Sequence, residues 1–273
     1  MDADRNAPIG VFDSGIGGLT VAREIMRQMP SERIVYFGDT ARVPYGNKSQ
    51  ETVIRYSQQI IRFLKTKNVK AIVIACNTAT ACALETVEKT LDIPILGVIR
   101  AGAKAAVEAT ENGKIGIIGT EATIRSGVYT DIMYKMNPDI EVTGKPCPLF
   151  VPLVEEGLLH DSVTDEIASR YLSCLKGKYI DTLVMGCTHY PLLRSTLKRI
   201  MGDDVTLINP AYETALELKS LLEKDDLTCV PGVPGEEQHQ FFVSDMAEKF
   251  RNFATSILPL DVKETRKINI EEY

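Results

Sequence analysis

A repeat is what most narrows the folds open to this chain. Ile72-Val-Ile-Ala-Cys-Asn-Thr78 is echoed by Leu183-Val-Met-Gly-Cys-Thr-His189, which sets Cys187 at an offset of 111 from Cys76. Ile9-Gly-Val-Phe-Asp-Ser14 is echoed by Ile115-Gly-Ile-Ile-Gly-Thr120 at an offset of 106. Ile99-Arg-Ala101 is echoed more weakly by Asn209-Pro-Ala211 at 110. Three similar offsets in one order describe two homologous halves, the first starting near residue 8 and the second near residue 98. After Pro210 about 60 residues remain, too many for a tail, so they are expected to return and complete the first half. The expected domains are therefore residues 1–97 with 208–273, and residues 98–207.

Each half alternates short apolar runs with helix-length amphipathic segments, the signature of an α/β fold. The runs are Ile9–Phe12, Ile34–Phe37, Ala71–Ala75, Ile95–Val98, Ile115–Ile118, Thr182–Met185 and Val205–Ile208. Continuous and rich in β-branched residues, they read as parallel strands buried on both faces. Helices are expected at Leu19–Met29, Glu51–Lys65, Ala79–Thr90, Asp165–Lys176 and Leu192–Met201. The Pro/Gly-rich stretch Val230–Gly235 reads as a surface loop, and the charged end from Lys263 as a poorly anchored terminus. The fold expected is two pseudo-symmetric parallel-sheet α/β domains with a site in the cleft between them.

Composition excludes several classes. A net charge of −6 leaves no basic excess for a broad nucleic-acid surface. No run approaches 18 apolar residues, and the first residues, Met-Asp-Ala-Asp-Arg-Asn, lack a signal-peptide pattern. The six cysteines are dispersed, which suits free thiols in a reducing cytoplasm.

Two of those cysteines carry the chemistry. Cys76 and Cys187 each end an apolar run just before a helix, and ligands of open α/β sheets bind beyond the carboxyl ends of the strands. A thiol there meets a helix N-terminus, which is expected to lower its pKa modestly from about 8.5. A single buried cysteine is often an inert small hydrophobe. Two at equivalent positions of a duplicated fold are expected to face each other, and stereoinversion at carbon needs a base on each face of the substrate. Cys82, Cys147, Cys174 and Cys229 lack this placement and read as core or surface thiols.

Around the thiols stand other candidates. Asp13-Ser-Gly-Ile-Gly-Gly18 is a strand-to-helix turn whose N–H groups can approach an anion, and Asp13 can accept from a substrate ammonium or orient a thiol. It has neither the Lys-Ser/Thr of a P-loop nor dinucleotide glycine spacing. Tyr36–Gly46 is a long loop after a strand. In Val154-Glu-Glu-Gly157 an acid could do for the second half what Asp13 does for the first, or be solvated on a helix surface. His189, two residues after Cys187, could assist proton transfer or only hydrogen-bond locally. A Cys-x5-Arg phosphatase loop fails because position 193 is Leu193 and the arginine is Arg194. Zinc would need more ligands than Cys187 and His189 supply.

Asp13-Ser-Gly-Ile-Gly-Gly18, Tyr36-Phe-Gly-Asp39, Pro44-Tyr-Gly46, Ala75-Cys-Asn-Thr78, Glu155-Glu-Gly157 and Gly186-Cys-Thr-His-Tyr-Pro191 together resemble, in order, motifs of the bacterial glutamate racemases of the aspartate/glutamate racemase superfamily. The resemblance covers about residues 8 to 223. It implies interconversion of L- and D-glutamate for peptidoglycan synthesis, with no cofactor: neither pyridoxal phosphate nor a metal. By this likeness Cys76 and Cys187 are the two bases, with Asp13, His189 and Glu155 assisting. Substrate contacts carry over to Asp13, Ser14, Tyr45, Gly46, Asn77, Thr78, Thr188 and His189, with Thr120 a further candidate. The first cysteine would deprotonate D-glutamate and the second L-glutamate. The partners implied are a small-molecule substrate and a second copy of the chain in a homodimer, with no nucleic acid or membrane. An aspartate-specific enzyme of the same fold is a second reading, and a binding module without catalysis a third, against which the retention of both cysteines counts.

Overall fold

The computed structural model describes residues 4–229 and 239–273. The loop expected at Val230–Gly235 lies outside the described residues.

In chain order the elements are β1 (Ile9–Asp13), α1 (Leu19–Gln28), β2 (Ile34–Gly38), α2 (Gln50–Lys65), β3 (Ala71–Ile74), α3 (Asn77–Glu88), β4 (Ile95–Gly97) and α4 (Val98–Ala109). There follow β5 (Lys114–Gly119), α5 (Glu121–Arg125), α6 (Val128–Met136), β6 (Glu141–Pro146), α7 (Phe150–Glu155), α8 (Ser162–Lys176), β7 (Thr182–Gly186), α9 (Arg194–Met201) and β8 (Thr206–Ile208). Last come α10 (Pro210–Lys224), β9 (Gln240–Val243), α11 (Ala247–Ile257) and β10 (Arg266–Lys267). The strands form two sheets, one of six strands in the order β10-β9-β2-β1-β3-β4 and one of four in the order β6-β5-β7-β8. Among the described residues every strand pair is parallel. The α/β architecture with parallel sheets is that expected.

Alternation explains the layers. In the first sheet Ile9, Val11, Ile34, Tyr36, Ala71 and Val73 face one cluster, packed under α1 and α10. Phe12, Val35, Phe37, Ile72 and Ile74 face the other, under α2 and α3. The second sheet is sandwiched the same way, with Ile118, Leu183 and Met185 on one face and Ile115, Ile117 and Val184 on the other. Period-two side chains of a strand must divide between two faces, so strands apolar at every position need helices on both.

Local signals set the helix starts. The Ser49 hydroxyl accepts the Thr52 N–H at the head of α2, Asp161 accepts that of Val163 at α8, and Asn209 precedes Pro210 in the first turn of α10. Three strands and the chain end depart from expectation. β6 lies at a sheet edge and is nowhere fully buried, so it has no apolar run. β9 pairs with β2, and β10 with β9. The end from Lys263 is anchored: Ile270 is buried and the Tyr273 ring packs edge-on against Phe63 at 5.3 Å. The apolar residues between the charges, Ile268, Ile270 and Tyr273, do the anchoring. Among the described residues no helix is long and apolar enough to cross a membrane.

At the edge away from the site, distant segments meet on one buried ion pair. Lys70 Nζ stands 2.6 Å from Glu32 Oε2, with both side chains out of solvent. Nζ also donates to the carbonyls of Arg5 at 2.6 Å and Leu227 at 2.7 Å, while Glu32 Oε1 accepts the Cys229 N–H at 2.9 Å. Lys70→Met leaves the Glu32 charge buried without its counter-ion, a change that costs about 3–5 kcal/mol. The expected result is a urea midpoint lowered to match, with the slope unchanged; a variant as stable as the parent would show that the pair is dispensable.

Candidate active site

The residue after Ala75 must turn from β3 into α3, and Cys76 does so as the N-cap: its Sγ accepts the Ala79 N–H at 3.4 Å. The Cys76 thiol in turn donates to Ser14 Oγ at 3.6 Å. β1 is the neighbouring strand, with Phe12 in register with Ile74, so Asp13 reaches the level of the Cys76 turn. Asp13 is fully buried and its Oδ2 accepts the Gly15 N–H at 3.0 Å. Burial raises the Asp13 pKa against the opposing pull of His189 and of the Gly18, Gly15 and Ser14 N–H groups. Burial, and then the Asp13 charge, also push the Cys76 thiol up to about 12, against the N–H of Ala79 and the hydroxyl of Ser14. This corrects the lowering expected from a helix N-terminus. Desolvation of a thiolate outweighs one long N–H···S contact, and a carboxylate lies next to it.

The second half builds its thiol differently. Cys187 follows β7, and its Sγ is 3.8 Å from His189 Nδ1. The other ring nitrogen, Nε2, is 3.1 Å from Glu155 Oε1 at the end of α7. Burial disfavours charge on His189, but hydrogen bonds to Cys187 and Glu155 and the charges of Cys187 and Asp13 hold its pKa at about 10. Glu155 is depressed in return: partial burial opposes its charge, and the bond to His189, the charge of His189 and that of Lys249 outweigh it. The acid of Val154-Glu-Glu-Gly157 that matters is thus Glu155, partnered and half-buried.

The two sheets aim these ends at each other. Gly17, in the first turn, lies so close to the second half that a Cβ there would stand 2.4 Å from both Thr188 Oγ1 and His189 Nδ1. Thr20 Oγ1 donates across to the Thr188 carbonyl at 2.9 Å. Thr78 Oγ1 is 2.9 Å from Thr120 Oγ1, which is 3.0 Å from Thr123 Oγ1. Ser14, Tyr45, Gly46, Cys76, Asn77, Thr78, Thr120, Cys187, Thr188 and His189 line a single cavity. Asp13 and Glu155 do not line it; they stand behind the groups that do.

Sequence reasoning missed the apolar walls Val43, Pro44 and Val151. Val43 and Pro44 lie within the stretch Tyr36–Gly46 expected as a loop, of which the first three residues instead belong to β2 because they pair in the sheet, whereas nothing in the sequence marks Val151. Tyr45 is held by Asp39, whose Oδ2 accepts the Tyr45 hydroxyl and, at 2.7 Å, Arg42 Nε. Ser244 Oγ donates to Asp39 Oδ1 at 2.8 Å. Cys147 corrects another expectation: it too follows a strand, β6. It is fully buried in an apolar cluster, with its pKa raised mainly by burial to about 12, and does not border the cavity. Of the others, Cys82 is partly buried, Cys174 exposed and Cys229 buried.

Two sheets, with a strand-end thiol from each at one cavity, make up the candidate site of an α/β protein. The Asp/Glu/hydantoin racemase model matches residues 9–217, and the chain belongs to that family; it is an isomerase. It is 46% identical over 263 residues to the glutamate racemase of Geobacter metallireducens, covering 96% of this chain and 97% of that one. The crystal structure of glutamate racemase isoform RacE1 from Bacillus anthracis superposes with a TM-score of 0.93 at 39% identity, over 97% of this chain and 98% of that one. The Francisella tularensis glutamate racemase, solved in complex with D-glutamate, gives 0.91 at 39% identity, over 98% and 100%.

The raised His189 pKa has a measurable consequence. A histidine held protonated to about 10 rather than 6.5 contributes stability that is complete below pH 6.5 and is lost as pH rises through 10. NMR titration of the His189 imidazole should find the high value, and Glu155→Gln should lower it. The variant should then lose this stability at lower pH than the parent. A His189 titrating near 6.5 in the parent would overturn the assignment.

Proposed function

We propose that this protein is a cofactor-independent glutamate racemase in which Cys76 and Cys187 act as the two bases. The reading rests on one observation above all: two thiols from equivalent strand ends of two sheets line the same cavity. One thiolate takes the α-proton from one face, and the opposite thiol gives a proton to the other. In the direction from L-glutamate, Cys187 is the base, with His189 Nδ1 3.8 Å away and Glu155 steadying the ring. Cys76, protonated in the empty site up to about pH 12, is then the acid that completes D-glutamate.

In the reverse direction Cys76 must first surrender its proton. The substrate ammonium favours that step, since a cation nearby stabilises the thiolate, and the raised carboxyl of Asp13 is the nearby group to receive it. The substrate carboxylates are held by the hydroxyls and N–H groups of Ser14, Gly46, Asn77, Thr78, Thr120 and Thr188, with the Tyr45 ring forming a wall. The D-glutamate supplies peptidoglycan synthesis in the cytoplasm, and the working unit is a homodimer. The units that close on the substrate are residues 1–97 with 208–273, and residues 98–207.

Circular dichroism on L- and D-glutamate, with both aspartate enantiomers as controls, is the primary test; turnover of aspartate alone would replace the substrate. Cys76→Ala and Cys187→Ala should each abolish racemisation and leave the fold intact. Retention of more than about a tenth of wild-type turnover, a loss under ~1.4 kcal/mol, would refute two-base catalysis. Turnover should also survive dialysis against EDTA, and recovery on adding a metal or pyridoxal phosphate would sink the cofactor-independent reading.

Isotopes test the geometry. In deuterated water the product enantiomer should carry deuterium from its first appearance, while recovered starting enantiomer carries little. Early product formed mainly with protium would mean a single base serving both faces.

A further inference from the structure

Resting on the reading of the site as a glutamate racemase, we propose that Tyr129 is a positioning residue: its hydroxyl, reaching from α6 of the second half, fixes the amide of Asn77 in the first for binding substrate. Tyr129 Oη donates to Asn77 Oδ1 at 2.7 Å, and both side chains are buried. Asn77 opens α3 immediately after Cys76 and lines the cavity.

An asparagine amide can turn either its oxygen or its nitrogen toward a guest. With Oδ1 engaged by a donor, the Nδ2 hydrogens are what Asn77 can offer to a carboxylate. The opposite orientation would aim a carbonyl at the carboxylate and repel it. Burial and the neighbouring Cys187 charge raise the Tyr129 pKa, so the phenol remains a donor throughout the working range.

The same ring also touches the other thiol's strand. A Cβ on Gly186, the residue before Cys187, would lie 3.4 Å from Tyr129 Cε2. One side chain therefore bonds the residue after Cys76 and lies beside the residue before Cys187. It packs among Ile99, Ile117 and Met133, so its ring is held independently of the hydroxyl. The hydroxyl selects the amide orientation and the ring sets where that amide stands relative to the second strand end.

Tyr129→Phe removes only the oxygen and keeps the packing. The expected result is a KM for glutamate raised about tenfold with kcat within threefold, since a contact made in ground and transition states alike is lost. Both directions must shift together in kcat/KM, because the equilibrium constant between enantiomers is one. A role through Asn77 further requires non-additivity: in an Asn77→Ala background, Tyr129→Phe should leave KM unchanged.

If KM were unchanged in Tyr129→Phe while the melting temperature fell, the hydroxyl would serve packing alone and the proposal would be overturned. A full tenfold effect persisting in the Asn77→Ala background would overturn it as well. A wild-type protein without glutamate turnover would instead refute the parent reading, so the two failures are distinguishable.

Discussion

Everything at this site depends on how closely the two sheets can bring their carboxyl ends together. Gly17 governs that approach, because Thr188 and His189 occupy the space where any side chain would begin. A buried hydroxyl of one half then bonds a main-chain carbonyl of the other, from Thr20 to Thr188. The contact brings His189 within the field of Asp13, so each group favours charge on the other across the two halves. Without that closeness, two thiols at equivalent positions would be two unrelated buried cysteines.

The halves repeat the thiol but not its support. Cys76 leans on a fully buried carboxyl and a serine hydroxyl, and the balance of burial against hydrogen bonds keeps it protonated. Cys187 faces an imidazole whose charge is favoured first by Cys187 itself and then by the partly exposed carboxylate of Glu155. Among the described residues lining the cavity, His189 is the one side chain whose pKa is raised toward a positive charge, and there is no lysine or arginine. An anionic guest is thus met mostly by neutral donors whose dipoles are already oriented, an arrangement that needs little reorganisation when charge shifts on the substrate.

Much of this was legible beforehand because the informative residues obey simple patterns. Strands buried on both faces are apolar at consecutive positions, so Ile9–Phe12, Ala71–Ala75 and Thr182–Met185 stand out, and with the last two the thiols that follow them. β6 did not, because an edge strand with mixed exposure has no such run. The direction of the Cys76 pKa runs against the sequence because a helix N-terminus can be seen there, whereas the burial of the thiol, and then the Asp13 charge beside it, cannot. Strand-end position was too loose a criterion for thiols, as Cys147 demonstrates: cavity access, a property of packing, separates it from Cys187. Tyr129 carried no local signal, since its partner Asn77 lies 52 positions away and on another sheet's helix.

The order of strands also bears on synthesis. All four strands of the second sheet are contained within residues 114–208, so that sheet can assemble as soon as this continuous stretch has emerged. The first sheet cannot finish until residues 240–267 arrive, because β9 must add beside β2. Until then β2, with Val35, Tyr36 and Phe37, is an apolar edge with unpaired peptide groups, the kind of template on which other nascent chains can pair. The part of the molecule that carries Cys76 is begun first and sealed last, and its vulnerable interval during synthesis is set by the time taken to translate the whole intervening lobe.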